Sequence, residues 1–211
     1  MAQHKFIFVT LLISGLISFS NGFGQTWDFV KEKDGVRIYT RKEANTSLKS
    51  FRGETVIHAP VEKFYPILGD SLSFDWWAKD IHDIKVLFFD SGKEIRYYLV
   101  YDVPWPLADR DLCVRSKVTT NPATGERTLY ATPLLNVVPE KPENVRIKNY
   151  WQKWYIKPLE KGNVQIILEG SVDPGGIVPN WLLNMVITET PLKVIRNLRE
   201  RVLHGKVTRI E

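Results

Sequence analysis

Cysteine is almost missing from this 211-residue chain: Cys113 stands alone. A single thiol cannot close an internal bridge, so the fold has to hold without a disulfide. Its apolar neighbours Leu112 and Val114 mark it as a buried, inert thiol rather than a nucleophile. Histidine is scarce too. Of the four, His4 lies in an N-terminal leader, and His58, His82 and His204 lack the spacing of metal ligands. There is no Gly-x-Ser-x-Gly elbow and no phosphate-cradling glycine loop with a following Lys-Ser/Thr. No acid–base pair stands out, and nothing implies a cofactor. Internal repeats and low-complexity stretches are also missing. The net charge of +5 is mild and forms no concentrated basic tract, which argues against nucleic acid as a partner. Weak attraction to an anionic membrane surface stays open.

One long apolar run is present, and it sits at the start. Lys5 precedes Phe6 to Phe19, and Gly22-Phe23-Gly24 places small residues at the −3 and −1 positions. This pattern predicts a signal peptide over 1–24, cleavage before Gln25 and export to the periplasm or the extracellular space. The run is shorter than the about 20 apolar residues of a membrane span. An uncleaved anchor helix is the alternative. Residues 25–211 then make one domain, expected to be monomeric and large enough for its own core.

That domain reads as strands followed by one helix. Val36–Arg41, Leu48–Ile57, Ile84–Phe89, Glu94–Val103, Leu112–Thr119, Arg127–Ala131, Val145–Lys157 and Val164–Val172 are rich in Val, Ile, Tyr and Trp and are separated by turn residues. A short helix is predicted from Pro60 through Leu68, and a helical turn over Phe74 to Lys79. The clearest signal is the junction Ser171-Val172-Asp173-Pro174-Gly175-Gly176-Ile177-Val178-Pro179-Asn180-Trp181-Leu182-Leu183-Asn184. Pro174-Gly175-Gly176 is a loop, and Pro179 suits a first helical turn. Trp181, Leu182, Leu183, Met185, Val186 and Ile187 make the helix apolar nearly all round, so it should be covered on most sides. Pro191 should kink it near Glu189-Thr190. Beyond the kink, Leu192, Ile195, Leu198 and Val202 form a stripe beside Lys193, Arg196, Arg199 and Arg201. Those cations suit either the helix dipole or a membrane surface.

Four blocks together resemble the START domain, the lipid-transfer module named after steroidogenic acute regulatory protein. They are Trp27…Asp34-Gly35-Val36-Arg37-Ile38-Tyr39, Val103-Pro104-Trp105-Pro106-Leu107-Ala108-Asp109-Arg110-Asp111, Asn144-Val145-Arg146-Ile147-Lys148-Asn149-Tyr150, and Asp173 to Asn184. The phrasing comes nearest to the phosphatidylcholine-transfer branch. The resemblance implies an α+β helix-grip fold, a curved antiparallel sheet wrapped around the long C-terminal helix and enclosing an apolar cavity. It also implies a gate made by that helix and a hairpin loop, here Thr119–Arg127.

One residue departs from the pattern. Many relatives carry a cavity arginine six residues after the Arg of the Arg-Asp pair, and here that position is Ser116. Arg115 lies one residue short, and a shift of one residue reverses the face of a strand. Leu112, Val114 and Ser116 are therefore expected to face inward and Arg115 outward. A wall with one hydroxyl puts a buried phosphate site in doubt and favours a sterol-, fatty-acyl- or polyisoprenoid-like ligand.

The expected function is non-catalytic binding, with transfer, of one hydrophobic lipid, a phospholipid remaining among the candidates. Leu112, Val114, Ser116, Trp181, Leu182 and Met185 would touch the lipid, and Thr119, Arg127 and Pro191 would belong to the gate. A cyclase- or aromatase-like enzyme on the same fold would instead want inward polar groups such as Arg96, Tyr98 or Glu169. A scaffold would have a filled core. Asp109, Arg110 and Asp111 read as an ion-pair network at an edge. Most of the seven Trp read as core filling.

Overall fold

The computed structural model describes residues 26–205, except 45, 47, 70, 71, 73, 75, 76, 78 and 79. The signal-peptide expectation for 1–24 falls outside these residues, as do Trp76 and the end of the expected 74–79 turn.

Alternation builds the sheet. In β2 (Val36–Lys42), Val36, Ile38 and Thr40 are buried while Arg37 is exposed. In β10 (Asn163–Asp173), Val164, Ile166, Leu168 and Gly170 turn to the core. The remaining strands are β1 (Asp28–Lys33), β3 (Lys49–His58), β4 (Ile81–Asp90), β5 (Glu94–Tyr101), β6 (Asp109–Thr120), β7 (Arg127–Pro133), β8 (Asn144–Arg146) and β9 (Asn149–Pro158). Their order is β1-β2-β3-β10-β9-β7-β6-β5-β4. The pairs along this path are antiparallel, and the sheet stays open, with β1 and β4 at its edges. β8 lies off the path and pairs with β6 in parallel.

Three local expectations change. The sequence reading has no strand at 28–33. β1 is a mostly exposed edge strand with a bulge between Phe29 and Lys31, so it lacks an apolar alternation. The single strand expected over 145–157 breaks into β8 and β9. Ile147 donates its backbone N–H to Asp111 O (2.9 Å), and Arg146 is drawn onto the Asp111 carboxylate (2.7 and 2.9 Å). The helix expected at 60–68 shrinks to a 3-10 turn, Val61–Lys63, followed by turns through Gly69. Pro66 is the reason, because it brings no backbone N–H and crowds the preceding turn.

The C-terminal helix lies on the concave face, against β2 and β3. It has three parts: α1 (Asn180–Asn184), a π-helical segment (Met185–Glu189) and α2 (Thr190–His204). Leu192, Ile195, Leu198 and Val202 of α2 are buried against Val36, Ile38, Ile166 and Leu168. Gly205 ends the helix in the left-handed region (φ 68°), its N–H on Arg201 O at 3.0 Å. Where α2 crosses β3 the backbones come close. A Cβ on Gly53 would sit 2.5 Å from Ile195 Cδ1 and 3.3 Å from Ile38 Cδ1.

In place of a simple kink at Glu189-Thr190, the helix widens over Met185–Glu189, the five residues before Thr190. Thr190 N–H reaches Met185 O, five residues back. The widened turn leaves Pro191 in the first turn of α2, where a proline is better tolerated than in an unbroken helix interior. Thr188 Oγ1 donates to Asn184 O (2.7 Å), supplying a partner to a carbonyl just before the widened turn.

Candidate functional site: a two-chambered cavity with a charge-free waist

Between helix and sheet the core is hollow. An inner chamber is walled by β5, β6, β7 and β9, through Ile95, Leu99, Leu112, Val114, Leu129 and Trp154 among others. Ile67, Leu68, Phe74 and Trp77 contribute from the connection between β3 and β4, and Pro191 and Val194 from α2. An outer chamber lies toward the helix start, lined by Val103, Arg110, Pro174, Leu182, Met185 and Val186. Their volumes are ≈ 110 Å³ and ≈ 90 Å³. Each is several times the roughly 15 Å³ that a single water needs, so this core is not a filled one.

Phe51, Tyr101, Leu112, Tyr150, Gln152 and Thr190 line both chambers and form the waist between them. Four of these six are polar and none is charged. Tyr97 joins them from the inner chamber. Burial raises the Tyr97 phenol above its ordinary range and raises that of Tyr150 likewise. Burial and the Asp80 carboxylate push Tyr101 up to about 12. All three therefore stay protonated near neutral pH and act as hydrogen-bond donors. Tyr150 spends its O–H on Gln152 Oε1. Among the described residues, the inner wall carries no Asp, Glu, Lys, Arg or His.

The expected contact residues divide. Leu112, Val114 and Ser116 are buried and stand on the inner wall, and Leu182 and Met185 line the outer chamber. Trp181 does not join them. It is 49 % exposed and lines neither chamber. Leu182, Met185 and Val186 occupy the inward stripe of the helix, and Trp181, one residue before Leu182, is turned about 100° away. The expectation that this helix is covered on most sides fails at the same place. Arg115 lies on the convex face, with Nη2 2.6 Å from Glu94 Oε2.

Of the residues expected to form the gate, Pro191 is buried on the inner wall. Thr119 is exposed near the end of β6. Arg127 is buried, its guanidinium 3.9 Å over the Tyr65 ring and its Nε 3.1 Å from Thr120 Oγ1. Tyr65 O–H donates to Gly125 O (2.8 Å), which ties the hairpin tip to the connection after β3. Across the outer chamber, Leu182 and Met185 face Val103 and Pro174 rather than hairpin residues.

The motif residues mostly hold the frame. Arg110 is 5 % exposed and donates to Pro174 O (3.2 Å) and Gly175 O (3.4 Å), joining the β5–β6 loop to the loop before α1. Asp173 Oδ1 accepts the Gly175 N–H (3.0 Å). Asp111 and Arg146 form a buried bidentate pair that Tyr98 O–H joins at 3.1 Å. This corrects the reading of Asp109–Asp111 as an edge network: Asp111 is fully buried beneath the 134–146 connection. The polar groups an enzyme reading wanted inside are elsewhere. Tyr98 is in the Asp111 network, Arg96 Nε is 2.6 Å from Glu94 Oε1, and Glu169 is 3.4 Å from Arg52. His82, despite its isolation in sequence, has Nε2 2.9 Å from Asp102 Oδ1 and 4.0 Å from Asp109 Oδ2.

The sequence reading missed the waist itself. Tyr97 and Tyr101 alternate inward with Ile95 and Leu99, a signal that was present. It is masked because Tyr98 and Val100, on the other face, are buried as well under Leu134 and Val138. A strand apolar on both faces does not show which face is which.

The comparisons agree with this geometry. Residues 23–206 match the START domain family. The chain belongs to that family. A phosphatidylcholine transfer protein of Rattus norvegicus is 27 % identical over 169 residues, covering 76 % of each chain. An uncharacterized protein of Pseudomonas aeruginosa is 27 % identical over 180 residues, covering 85 % of this chain and 88 % of its own. Among solved structures, a STAR-related lipid transfer protein from Xanthomonas axonopodis superposes with a TM-score of 0.73 at 26 % identity, covering 83 % of this chain and 98 % of that one. Human StAR-related lipid transfer protein 5 shares the fold, with a TM-score of 0.72 at 17 % identity over 83 % of this chain and 86 % of its own. START domains bind and transfer lipids, and the core of this START domain is hollow.

Proposed function

We propose that this protein is a non-catalytic lipid carrier, taking one hydrophobic molecule into the chambered cavity and exchanging it with a membrane outside the cytoplasm. One observation carries the reading: a hollow core whose inner chamber is walled by apolar side chains and, among the described residues, is free of titratable acids and bases apart from high-pKa phenols. Removing an acyl or isoprenoid skeleton from water is worth about 25 cal/mol per Å² of apolar surface, so such a wall retains a ligand without ionic help. General acid–base chemistry would want a group titrating near neutral pH on that wall. Export rests on the leader sequence, and the cavity is compatible with any compartment.

Exchange needs a face that meets the bilayer. The basic half of the helix is a poor candidate. Arg196 is 3.1 Å from Asp34 Oδ2 and Arg199 donates to Asp34 O, so both hold the β1–β2 turn. The opposite end is better. Trp105 (91 % exposed), Ile177 (97 % exposed) and Trp181 are bare. Each lies within three residues of a side chain that lines the outer chamber: Val103, Pro174 and Leu182 respectively. Exposed Trp favours the membrane interface, where its ring meets apolar and wet surroundings at once. The test is organic extraction of protein purified from its native cells, followed by mass spectrometry and a vesicle-to-vesicle transfer assay. A stoichiometric lipid and accelerated transfer are expected. A protein that neither retains lipid nor moves it between vesicles overturns the reading.

A further inference from the structure

The relatives named for phosphatidylcholine suggest a phospholipid, but the waist lacks the charge to hold one. Tyr97 is 7 % exposed and lines the inner chamber. Among the described residues, neither its hydroxyl nor that of Tyr101 has a hydrogen-bond partner. Both side chains line the cavity, and a donor that opens on a cavity with no protein partner is free to take one from a ligand. Gln152 adds to the set. Its Oε1 accepts from Tyr150, which leaves its Nε2 N–H groups as donors at the waist. Tyr97, Tyr101 and Gln152 thus line the inner chamber with uncharged donors, and the inner wall adds no cation.

We propose that Tyr97, Tyr101 and the Gln152 carboxamide anchor the oxygen of an uncharged lipid, a hydroxyl or a carbonyl on a sterol or isoprenoid skeleton, and that this cavity rejects phospholipid headgroups. The proposal rests on the carrier reading and gives it a ligand class. A hydroxyl or carbonyl oxygen accepts one or two hydrogen bonds and carries no net charge. One or two of these neutral donors therefore satisfy it, while the skeleton lies against the apolar inner wall, whose ≈ 110 Å³ chamber must widen to take it. A phosphodiester would bury a full negative charge, which needs a paired cation. The inner wall offers none. In the outer chamber Arg110 is engaged by the carbonyls of Pro174 and Gly175, and the carboxylates of Asp80 and Asp102 face the same space. Ser116 stands at the position where the sequence pattern leads one to expect a cavity arginine.

The test uses three probes on the full mature chain, stripped of lipid: dehydroergosterol for a sterol hydroxyl, menaquinone-4 for an isoprenoid carbonyl, and pyrene-labelled phosphatidylcholine. At least one neutral probe should bind ten times or more tighter than the phosphatidylcholine. Tyr97→Phe and Gln152→Leu should each weaken that probe about 5- to 10-fold, the worth of one hydrogen bond. Neither should weaken a hydrocarbon analogue such as cholestane. Tyr97→Phe should leave the melting temperature of the empty protein unchanged or raised, because the lost hydroxyl has no protein partner. Preferred binding of phosphatidylcholine overturns the proposal and leaves the carrier reading standing. So does tight neutral binding that ignores both substitutions. Failure of every probe to bind overturns the carrier reading as well.

Discussion

At the scale of the residue, one position in β6 separates cavity from solvent. Val114 is fully buried on the inner wall, whereas Arg115 reaches Glu94 on the convex face. Arg115→Ala should leave lipid loading unchanged, read by mass spectrometry of extracts. Val114→Arg places an unpaired charge in the chamber and should cost about 3–5 kcal/mol in urea unfolding or abolish loading. Emptying of the protein by Arg115→Ala at an unchanged melting temperature would show that the inward face is misassigned. The same ion pair sets a pH dependence. Hydrogen bonds from Arg115, and then from Arg96, hold the Glu94 carboxyl below its ordinary value despite its partial desolvation. A lowered folded pKa contributes stability that is complete above the unfolded value of about 4.3 and is lost as pH falls through the folded one. Thermal melts of wild type and Glu94→Gln should therefore differ at about pH 6 and draw together as the pH falls below about 4. A gap that persists at the acid end would remove Glu94 ionisation as its cause.

At the scale of the element, the C-terminal helix is held close and locally widened. Gly53 permits the close approach, since an added methyl meets Ile195 and Ile38, both fully buried and unable to swing into solvent. Gly53→Ala should cost about 1–3 kcal/mol, measured by chemical denaturation. An unchanged midpoint would mean that α2 rides over β3 with slack. The π segment is the second feature. It ends at Glu189, two residues before Pro191 of the inner chamber, and it carries Met185 and Val186 of the outer chamber. Pro191→Ala restores a donor and lets a regular α-helical ladder run through 185–195. It should raise thermal stability and slow lipid exchange between vesicles, with the amount bound unchanged. Equal exchange rates for variant and wild type would make the widened turn a fixed fit to the curved sheet rather than a hinge.

At the scale of the whole molecule, charge and apolar exposure sit at different places. The guanidinium groups of Arg196 and Arg199 are engaged by the β1–β2 turn, while Trp105, Ile177 and Trp181 are exposed near the outer chamber. This arrangement predicts docking through apolar loops. Trp105→Ser combined with Ile177→Ser should lower flotation with vesicles and slow transfer at least tenfold, in line with about 1.4 kcal/mol or more of lost apolar insertion. Loading in detergent should be unchanged. Undiminished transfer, with Arg196→Ala and Arg199→Ala slowing it instead, would return docking to the basic helix face.

Sequence alone determined the strands that alternate, such as β2 and β10, because a half-buried strand writes its register as a period of two. It determined the loop-to-helix junction at 173–184 through its proline and glycines, and the family through motif blocks that hold the frame, as Arg110 does on Pro174 and Gly175. It fell short wherever burial came from both sides or from far along the chain. Strand β5 is apolar on two faces, so the sequence could not say that Tyr97 and Tyr101 turn inward and Tyr98 outward. Strand β8 leaves the expected 145–157 run because Asp111, 35 residues away, captures Arg146. The chambers, the uncharged waist and the bareness of Trp181 were decided only in three dimensions. A cavity is the space left between elements, and no single residue's neighbours in sequence encode how far apart a sheet and a helix come to rest.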